Sequence, residues 1–193
     1  WTAPILFQLT LKQQGRSLSD YVLSIGGIEI NKGAIHFSTS FHYYVNNSSF
    51  IKKDAANINQ ITPKQLLEGK DPKVAMLDLL DRIAGKTAFF TAVHLNKFHK
   101  TELGFKARNP LPFIVLDTMC IERKINHNDC VEDVRLVSIR ERRKLPTYEA
   151  HNALVDSLST AEVLLCQIKD IFSKRRPSLA ERTIAPDKNT SEI

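Results

Sequence analysis

The stretch "YVLSIGGIEINKGAIHFSTSFHYYV", Tyr21 to Val45, constrains the fold more than any other part of the chain. Two runs rich in β-branched and aromatic residues are separated only by Asn31, Lys32 and Gly33, which reads as strand, tight turn, strand. The apolar run "APILFQLTL" ahead of it reads as a further strand, so three N-terminal antiparallel strands are predicted. The glycines of "SIGGIEI" lie inside a strand pattern, where they mark a bulge rather than a phosphate-binding loop.

Helices and strands alternate after this opening. "NINQITPKQLLEGK" reads as a loop with one helical turn. Asp71 then caps "PKVAMLDLLDRIAG", with Pro72 at the first helical position and Gly85 just past the end. "TAFFTAV" and "LPFIVLD" read as buried strands and "NKFHKTELGF" as a short helix between them, with Asp117 as a capping or loop residue. "VRLVSIRERRKLP" reads as a short helix stopped by Pro146, and a last helix is predicted from about Asn152 to Lys174. A hairpin followed by helix-separated strands implies an α/β fold, a mixed sheet flanked by helices.

The last helix carries an apolar stripe of Leu154, Leu158, Ala161, Leu165, Ile168 and Phe172, at alternating spacings of four and three. Asp156 is off that stripe, roughly 200° around from Leu154 at ~100° per residue, so the core does not need its carboxylate. His151 stands five residues ahead of it, at the mouth of the helix. Without further context His151 reads as a surface or capping-region histidine and Asp156 as a solvated helix residue. His94 and His99 read as polar groups beside the sheet.

Composition sets the remaining bounds. A chain of 193 residues, 42% hydrophobic and 25% charged, suits one domain with one core. No apolar run approaches the ~18 residues of a membrane span, and "WTAPILFQL" lacks the features of a signal peptide, so a cytoplasmic protein is expected. The missing initial Met suggests a piece of a longer chain. Cys120, Cys130 and Cys166 lack zinc-ligand spacing and read as buried or incidental thiols. The net charge of +6 permits a polyanion partner, with much of the excess in "IRERRK" and "KDIFSKRRPSLAERT". Residues 175–193 read as a disordered polar tail.

The order of elements, with "ILFQLTL", "YVLSIGGIEINKGAI", "FFTAVHLNKFHKTEL", "FIVLDT" and "YEAHNALVDSLSTAEVLL", resembles the DEDDh group of 3′-to-5′ exonucleases over residues 1–174. The resemblance implies a ribonuclease-H-like fold and two divalent metals, Mg or Mn, held on an Asp-x-Glu of the first strand, an Asp of a middle helix and a His-x4-Asp at the last helix. His151 and Asp156 match the final motif, as remnant general base and remnant metal ligand. The first-strand pair falls on Gln8 and Thr10 and the middle-helix position on His99, so three of the four carboxylates are absent.

Two ions about 4 Å apart clamp the attacking and leaving oxygens of phosphodiester hydrolysis, and Mg²⁺ wants charged oxygen ligands. Glutamine and threonine offer neutral oxygens only. The sequence therefore leads to a degenerate exonuclease-like domain, expected to be inactive and to hold no cofactor, that binds single-stranded nucleic acid or a nucleotide or serves as a scaffold. Two alternatives stand beside it: an active exonuclease with a non-standard Mg or Mn site, in which Asp20, Glu29 or Glu102 takes a ligand's place, and a protein-interaction module of a longer regulatory chain.

Overall fold

The computed structural model describes residues 6–13, 21–46, 60–89, 115–126, 133–149 and 152–173, with the backbone alone for 6–13, 87–89, 115–116 and 173. A five-stranded sheet has the order β3-β2-β1-β4-β5. Its strands are β1 (Leu6–Gln13), β2 (Val22–Asn31), β3 (Ala34–Tyr44), β4 (Thr87–Phe89) and β5 (Val115–Leu116). β1, β2 and β3 pair antiparallel, whereas β4 joins β1, and β5 joins β4, in parallel. Lys32 at φ 51° and Gly33 at φ 76° form the turn between β2 and β3, and the left-handed backbone of both matches the strands' own twist.

The five described helices are α1 (Pro63–Leu67), α2 (Pro72–Ile83), α3 (Thr118–Ile125), α4 (Leu136–Arg142) and α5 (Ala153–Ser173). α2 begins where the sequence places it: Asp71 Oδ1 accepts from the amides of Lys73 and Val74, and Pro72 occupies the first turn. Replacing that cap is expected to cost about 1 kcal/mol, so Asp71→Ala should lower the urea midpoint measurably while leaving the slope unchanged. α3 was not anticipated; Asp117 caps it by accepting from Met119 N at 2.8 Å.

Successive residues of a strand face opposite ways, and β2 uses both faces. Ile28 and Ile30 pack with Ala161 and Leu164 of α5, while Leu23 packs with Ile61 and Leu66 on the other side. Phe41 and Tyr43 of β3 meet α2: the Tyr43 hydroxyl donates to Ala75 O, and the Arg82 guanidinium lies over the Phe41 ring. The sheet is thus a layer between α5 and α2. The β1–β2 ladder shifts register between Lys12 and Gln13, and the β2–β3 ladder shifts opposite Ile28, because Gly27 pairs with Phe41 but Glu29 pairs with His36. Phe37 to Ser40 arch away from β2 there, and Thr39 Oγ1 accepts from Glu29 N in place of a main-chain oxygen. The bulge anticipated at "SIGGIEI" therefore has its extra residues on β3.

The apolar stripe of α5 needs correction. Phe172 is 66% exposed and Leu154 is only half-buried. The line sealed against its neighbours runs through Ala153, Ser157, Ala161, Leu164 and Gln167. At its N-terminal end the line is of small residues, Ala153 and Ser157, because the helix lies close to the sheet at Gly26, a demand that a count of apolar positions does not see. Leu158, Leu165 and Ile168 flank this line and pack on the same core.

Within the basic run "IRERRK", Arg140 and Arg143 turn inward while Arg142 and Lys144 stay exposed. Glu122 of α3 is 2% exposed and accepts from the Gln167 amide at 2.9 Å, Arg143 at 3.0 Å and Asn126 at 3.0 Å, with Arg142 at 3.5 Å. Arg143 reaches Asp170 as well, at 2.7 Å. Burial pushes the Glu122 carboxyl upward in pKa, and the Gln167, Arg143 and Asn126 donors outweigh it, so the group is held below the usual glutamate range. Arg143, at the end of α4, thus ties that helix to α3 and α5. Of the cysteines, Cys120 is exposed and Cys166 half-buried, both free, and Cys130 lies outside the described residues.

Candidate nucleic-acid site

The first turn of α5 sits directly on the sheet at Gly26. A Cβ added to Gly26 would lie 2.4 Å from both the Ala153 carbonyl carbon and Leu154 N, so no larger residue fits beneath the helix. Ser157 Oγ donates to Gly26 O at 2.8 Å, and the same hydroxyl lies 2.8 Å from Ala153 O. Asn152 opens the helix, its Oδ1 accepting from the amides of Leu154 and Val155. Asp156 falls in this turn and is half-buried.

Thr10 is the register partner of Gly26, and Gln8 that of Ile28. Directly paired residues of an antiparallel ladder share a face, so positions 8 and 10 of β1 lie on the face that carries α5. The structure places these two positions and the Asp156 turn on one side of the sheet, with one strand between Thr10 and the edge strand β3. His99, His151 and His94 lie outside the described residues.

Glu29 and Asp117 are accounted for elsewhere. Glu29 pairs with Phe7, on the opposite face from Gln8, and its carboxylate meets Lys86 Nζ at 3.0 Å. Asp117 is the α3 cap. Asp20 and Glu102 lie outside the described residues. Glu29 therefore does not supply the missing ligand, because it belongs to the α2 side of the sheet.

Two features near the site were not read from the sequence. His42 is the partner of Gly26 on β3, which completes a row Thr10, Gly26, His42 across three strands. Burial lowers its pKa and favours the neutral imidazole. Arg140, 5% exposed, donates to Ser159 O at 2.6 Å and to Pro146 O, pairs with Glu162 at 2.7 Å and lies over the Tyr148 ring. It ties the segment Leu145–Glu149, which leads towards His151, to the side of α5. In the sequence Arg140 stands only as one basic residue of the short helix "VRLVSIRERRKLP".

As a metal site, the donor set fails a chemical test. A pair of divalent ions brings four positive charges into a cleft and needs several carboxylates to offset them. Positions 8 and 10 bring an amide and a hydroxyl, leaving Asp156 as the carboxylate of the set. Among the described residues no three of His, Cys, Asp and Glu stand close enough to hold an ion. Among the described residues, then, the set brings one carboxylate, which is too little charge for two metals.

A strand-rich N-terminal half, parallel strands beyond it and a long helix laid across the sheet define an α/β domain, and the sequence comparison gives its family. The family model for exonucleases of the RNase T type matches residues 11–164, and the chain belongs to that exonuclease family. The match starts one residue after Thr10.

Solved structures agree on the fold. The nuclease domain of 3′hExo, a DEDDh family member bound to rAMP, superposes with a TM-score of 0.70 at 12% identity, over 86% of this chain and 92% of that one. Cell-death related nuclease 4 (CRN-4) gives 0.69 at 13% identity, over 86% and 64% of the two chains. Exonuclease I of E. coli in complex with a dT13 oligonucleotide gives 0.70 at 10% identity, over 89% and 43%. The chain therefore spans less than two thirds of CRN-4 and less than half of exonuclease I. No curated protein sequence matches it. No described helix is long and apolar enough to cross a membrane.

Proposed function

We propose that this domain is a degenerate exonuclease that does not hydrolyse phosphodiesters and uses the inherited cleft to hold a single-stranded nucleic-acid end or a nucleotide. The observation that carries the reading is the neutral pair Gln8 and Thr10 on β1, on the sheet face beneath α5 where the family's resemblance implies two carboxylates. Hydrolysis without metals leaves the attacking water unpositioned and the leaving oxygen unneutralised, so a histidine in the general-base position has nothing to act on. Binding survives the same change. Removing three acidic groups lowers the cleft's repulsion of phosphate, and neutral side chains still offer hydrogen bonds. Exonuclease I and 3′hExo hold an oligonucleotide and a nucleotide respectively, and that class of ligand is the one assigned here.

The test uses a dye-labelled single strand with a free 3′ end. Fluorescence anisotropy in EDTA is expected to show saturable binding that a mononucleotide competes away. Incubation with Mn²⁺ is expected to release no nucleotides, and calorimetry to show no uptake of two ions. Two bound ions, with digestion abolished by Asp156→Ala or His151→Ala, would establish an active exonuclease and overturn the proposal. Absence of binding would leave the domain as a scaffold.

A further inference from the structure

We infer that Gly26 and Ser157 are positioning residues of the cleft, setting the depth of the first turn of α5, and with it Asp156, against positions 8 and 10 of β1 through protein contacts alone. The inference rests on the reading of the cleft as a binding site and goes beyond it by naming what holds the cleft's shape.

Three observations converge on this seat. The missing Cβ of Gly26 lets the Ala153 and Leu154 main chain approach to where a methyl group would stand 2.4 Å away. The Ser157 hydroxyl, fully buried, bonds the sheet at Gly26 O across 131 residues of sequence. Thr10 is the ladder partner of that same Gly26, so the contact that seats the helix lies one strand from the β1 positions.

The physical consequence follows from close packing. Interiors transmit displacement because they contain few voids, so a methyl group at Gly26 has to lift the helix or push β2 down. Either movement changes the separation between Asp156 and β1. Where charged ligands share metals, the ions themselves help to draw the ligating elements together. Here Gly26 and Ser157 supply a protein contact that draws the same elements together.

The experiment compares the wild type with Gly26→Ala and Ser157→Ala, at a temperature well below each variant's melting point. Dissociation constant and binding stoichiometry for the labelled single strand are measured together in EDTA. A merely structural role lowers the melting temperature and the competent fraction but leaves the dissociation constant of the folded protein unchanged. A positioning role raises that constant, by about tenfold or more for Gly26→Ala, with stoichiometry intact, and Ser157→Ala should show a smaller rise in the same direction. Unchanged constants in folded variants would overturn the inference. If Gly26→Ala does not fold, Ser157→Ala alone decides the matter.

If the wild type binds no nucleic acid, the proposed function fails and a second arm decides the seat separately. The variant Gln8→Asp/Thr10→Glu/His99→Asp restores an acidic set, and Mn²⁺ calorimetry on it needs no nucleic acid. Adding Gly26→Ala is expected to weaken Mn²⁺ binding by about tenfold. Equal affinity with and without that substitution would sink the positioning role.

Discussion

Restoring three carboxylates, as Gln8→Asp, Thr10→Glu and His99→Asp together, is expected to convert the chain into a Mn²⁺-dependent exonuclease that exceeds the wild type by at least about a thousandfold. The expected gain is large because paired metals supply the nucleophile and neutralise the leaving oxygen in one arrangement, and enzymes of this power accelerate reactions by many orders of magnitude. The scaffold for it is in place: Gly26 and Ser157 seat α5 over the sheet without help from the ligands. In the absence of metal, the variant's clustered charges repel, so its melting temperature should fall below that of the wild type. Mn²⁺ should restore it, since a ligand that binds only the folded state stabilises that state. A folded variant that takes up no Mn²⁺ would show that positions 8, 10 and 99 do not share a site with Asp156.

The second large effect is expected at Glu122. Its carboxylate is almost fully enclosed and serves Gln167, Arg143 and Asn126 at once. Removing one partner of a buried ion pair leaves the other charge uncompensated, at a cost of about 3–5 kcal/mol. Asp170 still holds Arg143, which places Glu122→Ala towards the lower end of that range. Urea denaturation at neutral pH measures it; a loss within the scatter of a surface substitution would contradict the network's role.

The same carboxylate sets an acid limit. Its folded pKa is depressed, so its contribution is fully present above the unfolded glutamate value near ~4.3 and declines as pH falls through the lower folded value. Glu122→Gln should therefore flatten the dependence of stability on pH below about 4.3, while a wild-type profile already flat there would contradict the shift.

These two predictions differ in how far the sequence announces them. The candidate metal positions come from the family resemblance, which rests on short motifs: His151 and Asp156 stand five residues apart, and Gln8 and Thr10 occupy one strand. The cap at Asp71 was equally plain, because Asp, Pro and the following periodicity all act within one turn. Glu122 was not visible. Its partners lie between 4 and 45 residues away, and a Glu among Arg and Lys looks the same whether the surface or the core receives it. The seat of α5 escaped for another reason. Alanine, serine and glycine carry no periodic hydrophobic signal, although the close approach they allow decides where the helix lies. Of the candidate site, the side of the sheet for positions 8 and 10 follows from strand register, and register becomes definite only when the partner strands are known.

The arch in β3 bears on how such domains coexist in solution. β3 is an edge of the sheet, and a long, regular edge offers its main-chain groups to any other extended chain. Phe37 to Ser40 leave the ladder opposite Ile28, Thr39 Oγ1 bonds both Glu29 N and His36 O, and Phe37 is left 65% exposed at the break. An incoming strand that matched the register on one side of the arch would be out of step on the other. The irregularity thus acts against edge-to-edge aggregation, and straightening it by deletion within Phe37–Ser40 would expose a continuous template for intermolecular sheet.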